Sequence, residues 1–272
     1  MSQLAGRPKQ LILIRHAESA RNEAKRGRNG QKPTTYFADE DARKLVKGIG
    51  DHMIPITLPG FEQAVKAGFY LKAHFGKPDF VYDSEYRRTE QTANTALTAF
   101  TDKELNSVER RSTTFLRERD PGYTYDMTEE EVERHFPYLR EYWRTMGGFH
   151  AAPPGGESLS KVVERVRSFI TEIFHTRDDQ NVWIFTHGGT IRCIRYLLEH
   201  WTEKEFVETP GPDNCGITVY NQTMVPISIN GQPSVRKKLV LDRFNDTEWN
   251  KLPSAEGRAR EAYHHDLIYG RR

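Results

Sequence analysis

Two histidines in this sequence each follow a short apolar run that is typical of a buried strand. The run LILI at residues 11–14 leads directly into Arg15-His16, and the run at residues 181–186 leads into His187 and two glycines. The carboxyl ends of parallel strands meet at one edge of a sheet, and ligands bind at that edge. We therefore expect the two histidines to lie close together although they are far apart in the chain.

Further charged residues are predicted at the same edge. The segment DFVYDS reads as a strand that ends at Ser84, and Arg87 and Arg88 begin the helix after it, while Glu118 lies in the loop-like segment FLRERDPGY. A guanidinium group binds two phosphate oxygens at once through two N–H donors, and it stays positively charged at any working pH. A neutral imidazole can attack phosphorus, and a carboxylic acid can protonate the leaving oxygen. A second histidine can neutralise the charge that builds up in the transition state. The set predicts phosphoryl-transfer chemistry.

The elements that must position these residues alternate between strand and helix. Strands are predicted at the two apolar runs and at DFVYDS. Helical spacing of apolar residues predicts helices near residues 59–75, 86–100, 128–146, 157–174 and 188–201, with a new segment beginning at Pro137. This alternation predicts an α/β fold, a three-layer α/β/α sandwich with a mostly parallel central sheet. We expect a single domain over residues 1–272.

A polar, glycine-rich insertion, about residues 23–51, separates the first strand from its helix. It is far longer than the roughly two to six residues usual for such a connection, and loops of this length are often functional lids. Its basic tip, Lys25, Arg26 and Arg28, is either part of a lid over an anionic substrate or a solvated loop.

A C-terminal extension, about residues 222–272, follows the last predicted helix. The segments CGITVYN, MVPISING and VRKKLVLDRF alternate as strands do, and NGQ is a turn signal. We expect these strands to extend the sheet at one edge.

Composition limits the function classes. The 272 residues carry a formal net charge of +2 with no dense basic block, so no nucleic-acid partner is expected. No apolar run approaches the about 18 residues of a membrane span, and the first ten residues lack an apolar signal core. The two cysteines, Cys193 and Cys215, form no disulfide framework, which favours the cytoplasm. The expected partner is a small phosphorylated substrate, and the oligomeric state stays open.

Together the motifs LIRHAES, SEYRRTEQTA, LRER, PGGES and FTHGG resemble the histidine phosphatase superfamily, also called phosphoglycerate mutase-like, over about residues 9–221. The resemblance is greatest to the phosphatase branch. It implies that His16 is the nucleophile that becomes phosphohistidine and that Arg15 grips the phosphate. It also implies that Glu118 is the proton donor and that His187 orients and neutralises the phosphoryl group.

The resemblance implies further site residues. Arg88 matches the second phosphate arginine better than Arg87 does. The remaining positions that it assigns to the phosphate pocket are Ser19, Asn22 and Gly188, the last for close backbone approach. Glu157 is a further candidate for substrate binding, although capping or bracing the start of its helix is the favoured interpretation. The family needs no metal or other cofactor, and the sequence offers no evident cluster of metal ligands.

One residue departs from the family pattern. Ala17 follows the nucleophile, where the family usually has glycine. Alanine is strained at positive φ. If the phosphate pocket requires a positive φ at residue 17, alanine strains or alters the pocket. A metal-independent phosphomonoester hydrolase is the favoured activity. A mutase that returns the phosphoryl group to a sugar acid, and a catalytically weak module that binds phosphorylated ligands or proteins, remain the alternatives.

Overall fold

The computed structural model describes residues 6–26, 35–229 and 232–270, and six strands in these ranges form one sheet. The strands are β1 (Gln10–Arg15), β2 (Phe80–Asp83), β3 (Glu109–Ser112), β4 (Asn181–Thr186), β5 (Ile217–Ile229) and β6 (Gln232–Asp246). Their order is β3-β2-β4-β1-β5-β6. The first four are parallel to one another, whereas β5 and β6 are antiparallel. The predicted mostly parallel sheet is confirmed.

Helices occupy most of the remaining described chain. They are α1 (Ala20–Ala24), α2 (Glu40–Arg43), α3 (Leu58–Phe75), α4 (Arg87–Leu97), α5 (Asp102–Leu105), α6 (Glu129–His135), α7 (Leu139–His150), α8 (Leu159–Thr176), α9 (Gly188–Glu199), α10 (Glu203–Glu208) and α11 (Glu256–Tyr269). The break between α6 and α7 lies at Pro137, as predicted, because proline lacks the amide hydrogen that a helix interior needs.

The three layers follow from the alternation of side chains along the strands. Ile12 and Ile14 of β1 enter one hydrophobic core, which α3, α4 and α11 cover. Leu11 and Leu13 enter the opposite core, which α8 and α9 cover. Because successive strand residues point to opposite faces, a fully apolar strand requires helices on both sides. The sandwich predicted from the sequence is therefore present.

The helix starts have identifiable causes. Thr57 accepts a hydrogen bond from the Gly60 amide at the start of α3, and Ser158 accepts one from Lys161 at the start of α8. These side chains satisfy amide groups that have no partner within the helix. The buried face of α8 consists of the residues that its apolar spacing predicts, namely Val162, Val163, Val166, Phe169, Ile170 and Ile173.

The C-terminal extension differs in part from its prediction. CGITVYN and MVPISING do not form separate strands, because β5 runs without a break from Ile217 to Ile229. It pairs with the edge of β1, so the expected extension of the sheet is confirmed. The predicted NGQ turn includes residues 230–231, which lie outside the described residues. The helix α11 was not predicted, since only Ala259 is buried along it and no apolar stripe marks it.

The described parts of the insertion contain short helices, α1 at one end and α2 in the middle. The Lys25 ammonium donates to the carbonyl of Thr35, and Arg26 forms an ion pair with Glu18. Arg28 lies outside the described residues. Of the helices in the described ranges, none has the length and apolar character needed to span a membrane.

Candidate active site

His16 and His187 lie side by side at the carboxyl edge of the sheet. Strand register produces this contact, because Arg15 at the end of β1 pairs with Thr186 at the end of β4. The amide of His16 donates to the Thr186 carbonyl at 2.8 Å. The two ring centroids are 5.2 Å apart in an edge-to-face arrangement, and both side chains are buried. The expectation from the two strand ends is met.

The His16 ring has a defined proton position. Its Nδ1 lies 2.7 Å from the carbonyl oxygen of Ala17. A carbonyl can only accept, so Nδ1 carries the proton. Burial, followed by the positive charges of Arg88 and Arg15, holds the pKa of His16 well below 6.5. The ring is therefore neutral, and its Nε2 carries a lone pair.

The His187 ring has the opposite proton position. Its Nδ1 accepts from Nε of Arg88 at 3.3 Å, because a guanidinium can only donate. Its Nε2 therefore carries the proton and donates to Oγ of Ser84 at 2.7 Å. Ser84 continues this network to Thr89 at 2.8 Å. Burial, with Arg88 next, holds the pKa of His187 well below 6.5.

Arg88 and Arg15 bring positive charge to the two rings. Arg88 is 4% exposed, and its Nη1 donates to the backbone oxygen of Asp51 at 2.6 Å and to Oδ1 at 3.1 Å. Nη1 of Arg15 donates to the Pro212 carbonyl at 2.7 Å, and its Nε is a buried donor without a partner in the described structure. A buried unpaired donor on a cation suits an anionic ligand.

Arg87 has a different environment from its neighbour. Its guanidinium forms an ion pair with Asp266 of α11 at 3.2 Å. Arg87 and Asp266 also line a cavity of about 750 Å³ between α4 and α11. Neither His16 nor His187 is among its lining residues. The structure therefore brings Arg88, and not Arg87, to the histidines.

Glu118 lies over the first turn of α9. Its Oε2 accepts from the Gly189 amide at 3.2 Å, and its Oε1 accepts from the Arg119 amide at 2.9 Å. A helix amino terminus favours a carboxylate. A Cβ on Gly189 would lie 2.4 Å from Oε1 of Glu118, whereas one on Gly188 would lie 3.5 Å from Arg15. Gly189 therefore lies tightly against Glu118, while the approach of Gly188 to a phosphoryl group stays a prediction.

Glu157 braces the loop that carries Glu118. Its Oε2 accepts from the Asp120 amide at 3.1 Å, and its carboxylate pairs with Arg165 at 3.1 Å. Arg165 also donates to the carbonyls of Glu118 at 3.1 Å and Phe115 at 2.7 Å. The observed contacts are those of the bracing alternative. The Arg165 contribution was not anticipated, because a charged residue on a helix face carries no signal for such a role.

Ser19 and Asn22 form the cap of α1. The backbone amide of Asn22 donates to Oγ of Ser19 at 3.3 Å. The Ser19 hydroxyl in turn donates to the side-chain oxygen Oδ1 of Asn22 at 2.9 Å. The same Oδ1 accepts from Asn214 at 3.2 Å, and Asn214 also donates to the His16 carbonyl at 2.9 Å. Asn22 is therefore linked to the nucleophile candidate through Asn214, a residue that the sequence analysis missed.

The alanine after His16 does not distort the backbone. Positive φ occurs at five non-glycine residues of the described chain, and Ala17 is not one of them. Its side chain is fully buried in the core beneath α3 and α4. Its amide donates to Oγ1 of Thr92 at 3.0 Å. The strain that the sequence made conceivable is absent at this position.

Within the described ranges, no group of three or more His, Cys, Asp or Glu residues could hold a metal ion. Both cysteines are free and buried.

Comparisons with known proteins show the family to which the chain belongs. A family model for the histidine phosphatase superfamily (branch 1) matches residues 38–225, well over half of the chain, and begins after the Arg15-His16 motif. A phosphoglycerate mutase-like protein of Arabidopsis thaliana is 28% identical over 232 residues, which cover 78% of this chain and 73% of that protein. The 2,3-bisphosphoglycerate-dependent phosphoglycerate mutase of Bartonella quintana is 29% identical over 202 residues, with 72% and 84% covered.

Solved structures share the fold. A mycobacterial glucosyl-3-phosphoglycerate phosphatase in complex with inorganic phosphate aligns with a TM-score of 0.61 at 21% identity, covering 89% of this chain and 99% of that one. The α-ribazole phosphatase of Shigella flexneri aligns with a TM-score of 0.62 at 19% identity, covering 88% and 96%.

Proposed function

The chain belongs to the histidine phosphatase superfamily, and we propose that it hydrolyses phosphomonoesters through a phosphohistidine formed on His16, without a metal ion. One observation carries this proposal. The buried His16 ring is neutral, with its proton on Nδ1 and held by the Ala17 carbonyl. The lone pair on Nε2 is therefore available for attack at the pH of the cell.

In the proposed first step, Nε2 of His16 forms a bond to phosphorus while the bond to the leaving oxygen breaks. Glu118 enters this step protonated, beside the phosphate dianion, and gives its proton to that oxygen. Arg15 and Arg88 bind the phosphoryl oxygens as charge builds up on them. His187 accepts from Nε of Arg88 and so holds that guanidinium in place. In the second step, Glu118 takes a proton from water, whose oxygen attacks phosphorus. The P–N bond then breaks, and inorganic phosphate leaves.

A mutase is the second candidate, favoured by the names of the curated relatives, at 28% and 29% identity. It would use the same first step but return the phosphoryl group to a sugar acid instead of water. Supplying 3-phosphoglycerate with catalytic 2,3-bisphosphoglycerate separates the two. Efficient isomerisation would replace the hydrolase proposal, whereas release of phosphate without isomerisation supports it.

The binding-module alternative is weakened. The sequence favoured it only through Ala17, and the backbone there lacks the positive φ that would make alanine a defect. We keep the cytoplasm as the proposed location, which the two free cysteines favour.

The test is turnover of an aryl phosphate with EDTA present. Wild type should turn over, His16→Ala should be inactive, and Glu118→Gln should be strongly reduced. Arg87→Ala is the matched control, because Arg87 pairs with Asp266. It should keep wild-type activity, whereas Arg88→Ala should lose most of it. No turnover by wild type on a panel of phosphate esters would reject the hydrolase.

A further inference from the structure

Asp51, the last residue of the insertion, engages Arg88 with three oxygen atoms. Nη1 of Arg88 donates to the backbone oxygen at 2.6 Å and to Oδ1 at 3.1 Å, and Nη2 donates to Oδ2 at 3.4 Å. The two side chains are only 5% and 17% exposed. An ion pair with this much burial is directional, and removing one partner leaves an uncompensated charge.

The opposite end of the same guanidinium faces His187. Nε of Arg88 donates to Nδ1 of that ring at 3.3 Å. The ring must then keep its proton on Nε2, where it donates to Ser84. Asp51, Arg88 and His187 thus form a continuous chain of contacts, in which each group fixes the orientation of the next.

The position of Asp51 is itself fixed by its surroundings. The hydroxyl of Tyr125 donates to the Ile49 carbonyl at 2.9 Å. The amide of Met53 donates to the Gly50 carbonyl at 2.9 Å, which closes a turn around Asp51. The end of the insertion is therefore tied to the loop after Glu118, and the carboxylate is held at the guanidinium.

We propose that Asp51 is a positioning residue of the phosphoryl-transfer site, which aligns Arg88 and through it fixes the tautomer of His187. The catalytic consequence rests on the proposed function, but the alignment is a property of the free protein. Without the Asp51 side chain, Arg88 keeps only the backbone oxygen of that residue. The guanidinium then rotates, and His187 loses the donor that holds its proton on Nε2.

The test compares Asp51→Ala, Asp51→Asn and the control Asp266→Asn, which breaks the analogous ion pair of the neighbouring Arg87. The first readout is the ¹⁵N NMR spectrum of labelled histidines in the free protein. Wild type and Asp266→Asn should show His187 as a single Nε2–H tautomer. Asp51→Ala should show a tautomer mixture or a protonated ring, and Asp51→Asn, which keeps one oxygen, should show a smaller change.

The second readout is aryl phosphate kinetics. Asp51→Ala should lower kcat by roughly 10- to 100-fold, as expected for a misaligned group, with a much smaller change in KM. Asp51→Asn should lie between it and wild type. Unchanged His187 signals in both Asp51 variants, or a kcat equal to or above that of wild type, would overturn the proposal. If wild type itself is inactive, the proposed function fails, and the NMR result alone still decides the alignment.

Discussion

His16 and His187 are neighbours because the residues before them, Arg15 and Thr186, are register partners on adjacent parallel strands. One strand end brings the nucleophile candidate, and the other brings the second histidine, with ring centroids 5.2 Å apart. Burial, followed by the charge of Arg88, holds the pKa of both imidazoles well below 6.5, so the two rings are neutral together. Their common loss of basicity is therefore a direct consequence of the fold.

Acid should destabilise this protein through these two rings. Burial lowers the pKa of both His16 and His187 well below 6.5. Below pH 6.5 the unfolded chain binds protons that the folded state does not, so the free energy of unfolding falls as pH falls. Each ring contributes a slope of about 1.4 kcal/mol per pH unit until its folded-state pKa is reached.

Urea unfolding between pH 7.5 and 5 checks this slope. His187→Asn should make the dependence shallower than in wild type, since one of the two proton sites is gone. His135→Asn, at an exposed position, is the control. An equal slope in wild type and His187→Asn would show that His187 titrates alike in both states.

Alanine at Gly189 should harm catalysis more than alanine at Gly188. A Cβ at the first site would lie 2.4 Å from Oε1 of Glu118, and at the second 3.5 Å from Arg15. Gly189→Ala displaces the proposed proton donor, so kcat should fall by roughly 10-fold or more, while Gly188→Ala should cause a smaller loss. Steady-state kinetics of both variants measures the two losses of kcat. A larger loss in Gly188→Ala than in Gly189→Ala would contradict the proposed role of Glu118.

Arg165→Met should loosen the loop that holds Glu118. The guanidinium donates to two loop carbonyls and pairs with Glu157. Its loss should lower the free energy of unfolding by about 1–3 kcal/mol and lower kcat as well. Arg111→Met removes the exposed pair with Glu172 and should cost less than about 1 kcal/mol. Equal effects of the two substitutions on stability and kcat would argue against a brace.

Ala17→Gly should lower the stability of the protein without raising its activity. The change removes a buried methyl group and adds backbone freedom, together worth about 1–2 kcal/mol of stability. Because φ at Ala17 is not positive, glycine relieves no strain, and kcat should not exceed that of wild type. Thermal unfolding and aryl phosphate turnover measure both effects. A clear rise in kcat would show that alanine impairs the site.

The sequence predicted the edge of the sheet well, for a physical reason. Apolar runs mark buried strands, and parallel strands place their carboxyl ends together, so His16, His187 and Arg88 could be grouped without knowledge of strand order. Asp51 could not be found in this way. It ends a long polar insertion with no periodic signal, and its role depends on where that insertion returns to the sheet.

The tail shows a second limit. Alternation of apolar and polar residues indicates strands but not where they are interrupted, so β5 was divided although Gln222 and Thr223 continue its pairing with β6. The helix α11 buries only Ala259 fully, packs Ala262 and Tyr263 partly against the core, and makes polar contacts to α4 through Asp266. A helix held by such contacts carries little hydrophobic periodicity, and only the tertiary structure reveals it.

The most direct test of the central claim is to look for phosphate on His16. The protein is mixed with excess aryl phosphate, quenched at alkaline pH, which preserves phosphohistidine, and analysed by intact mass and peptide mapping. The account predicts one added phosphoryl group on His16 in wild type, and none in His16→Asn. Turnover with no phosphoryl adduct at any quench time, or an adduct that persists in His16→Asn, would contradict it.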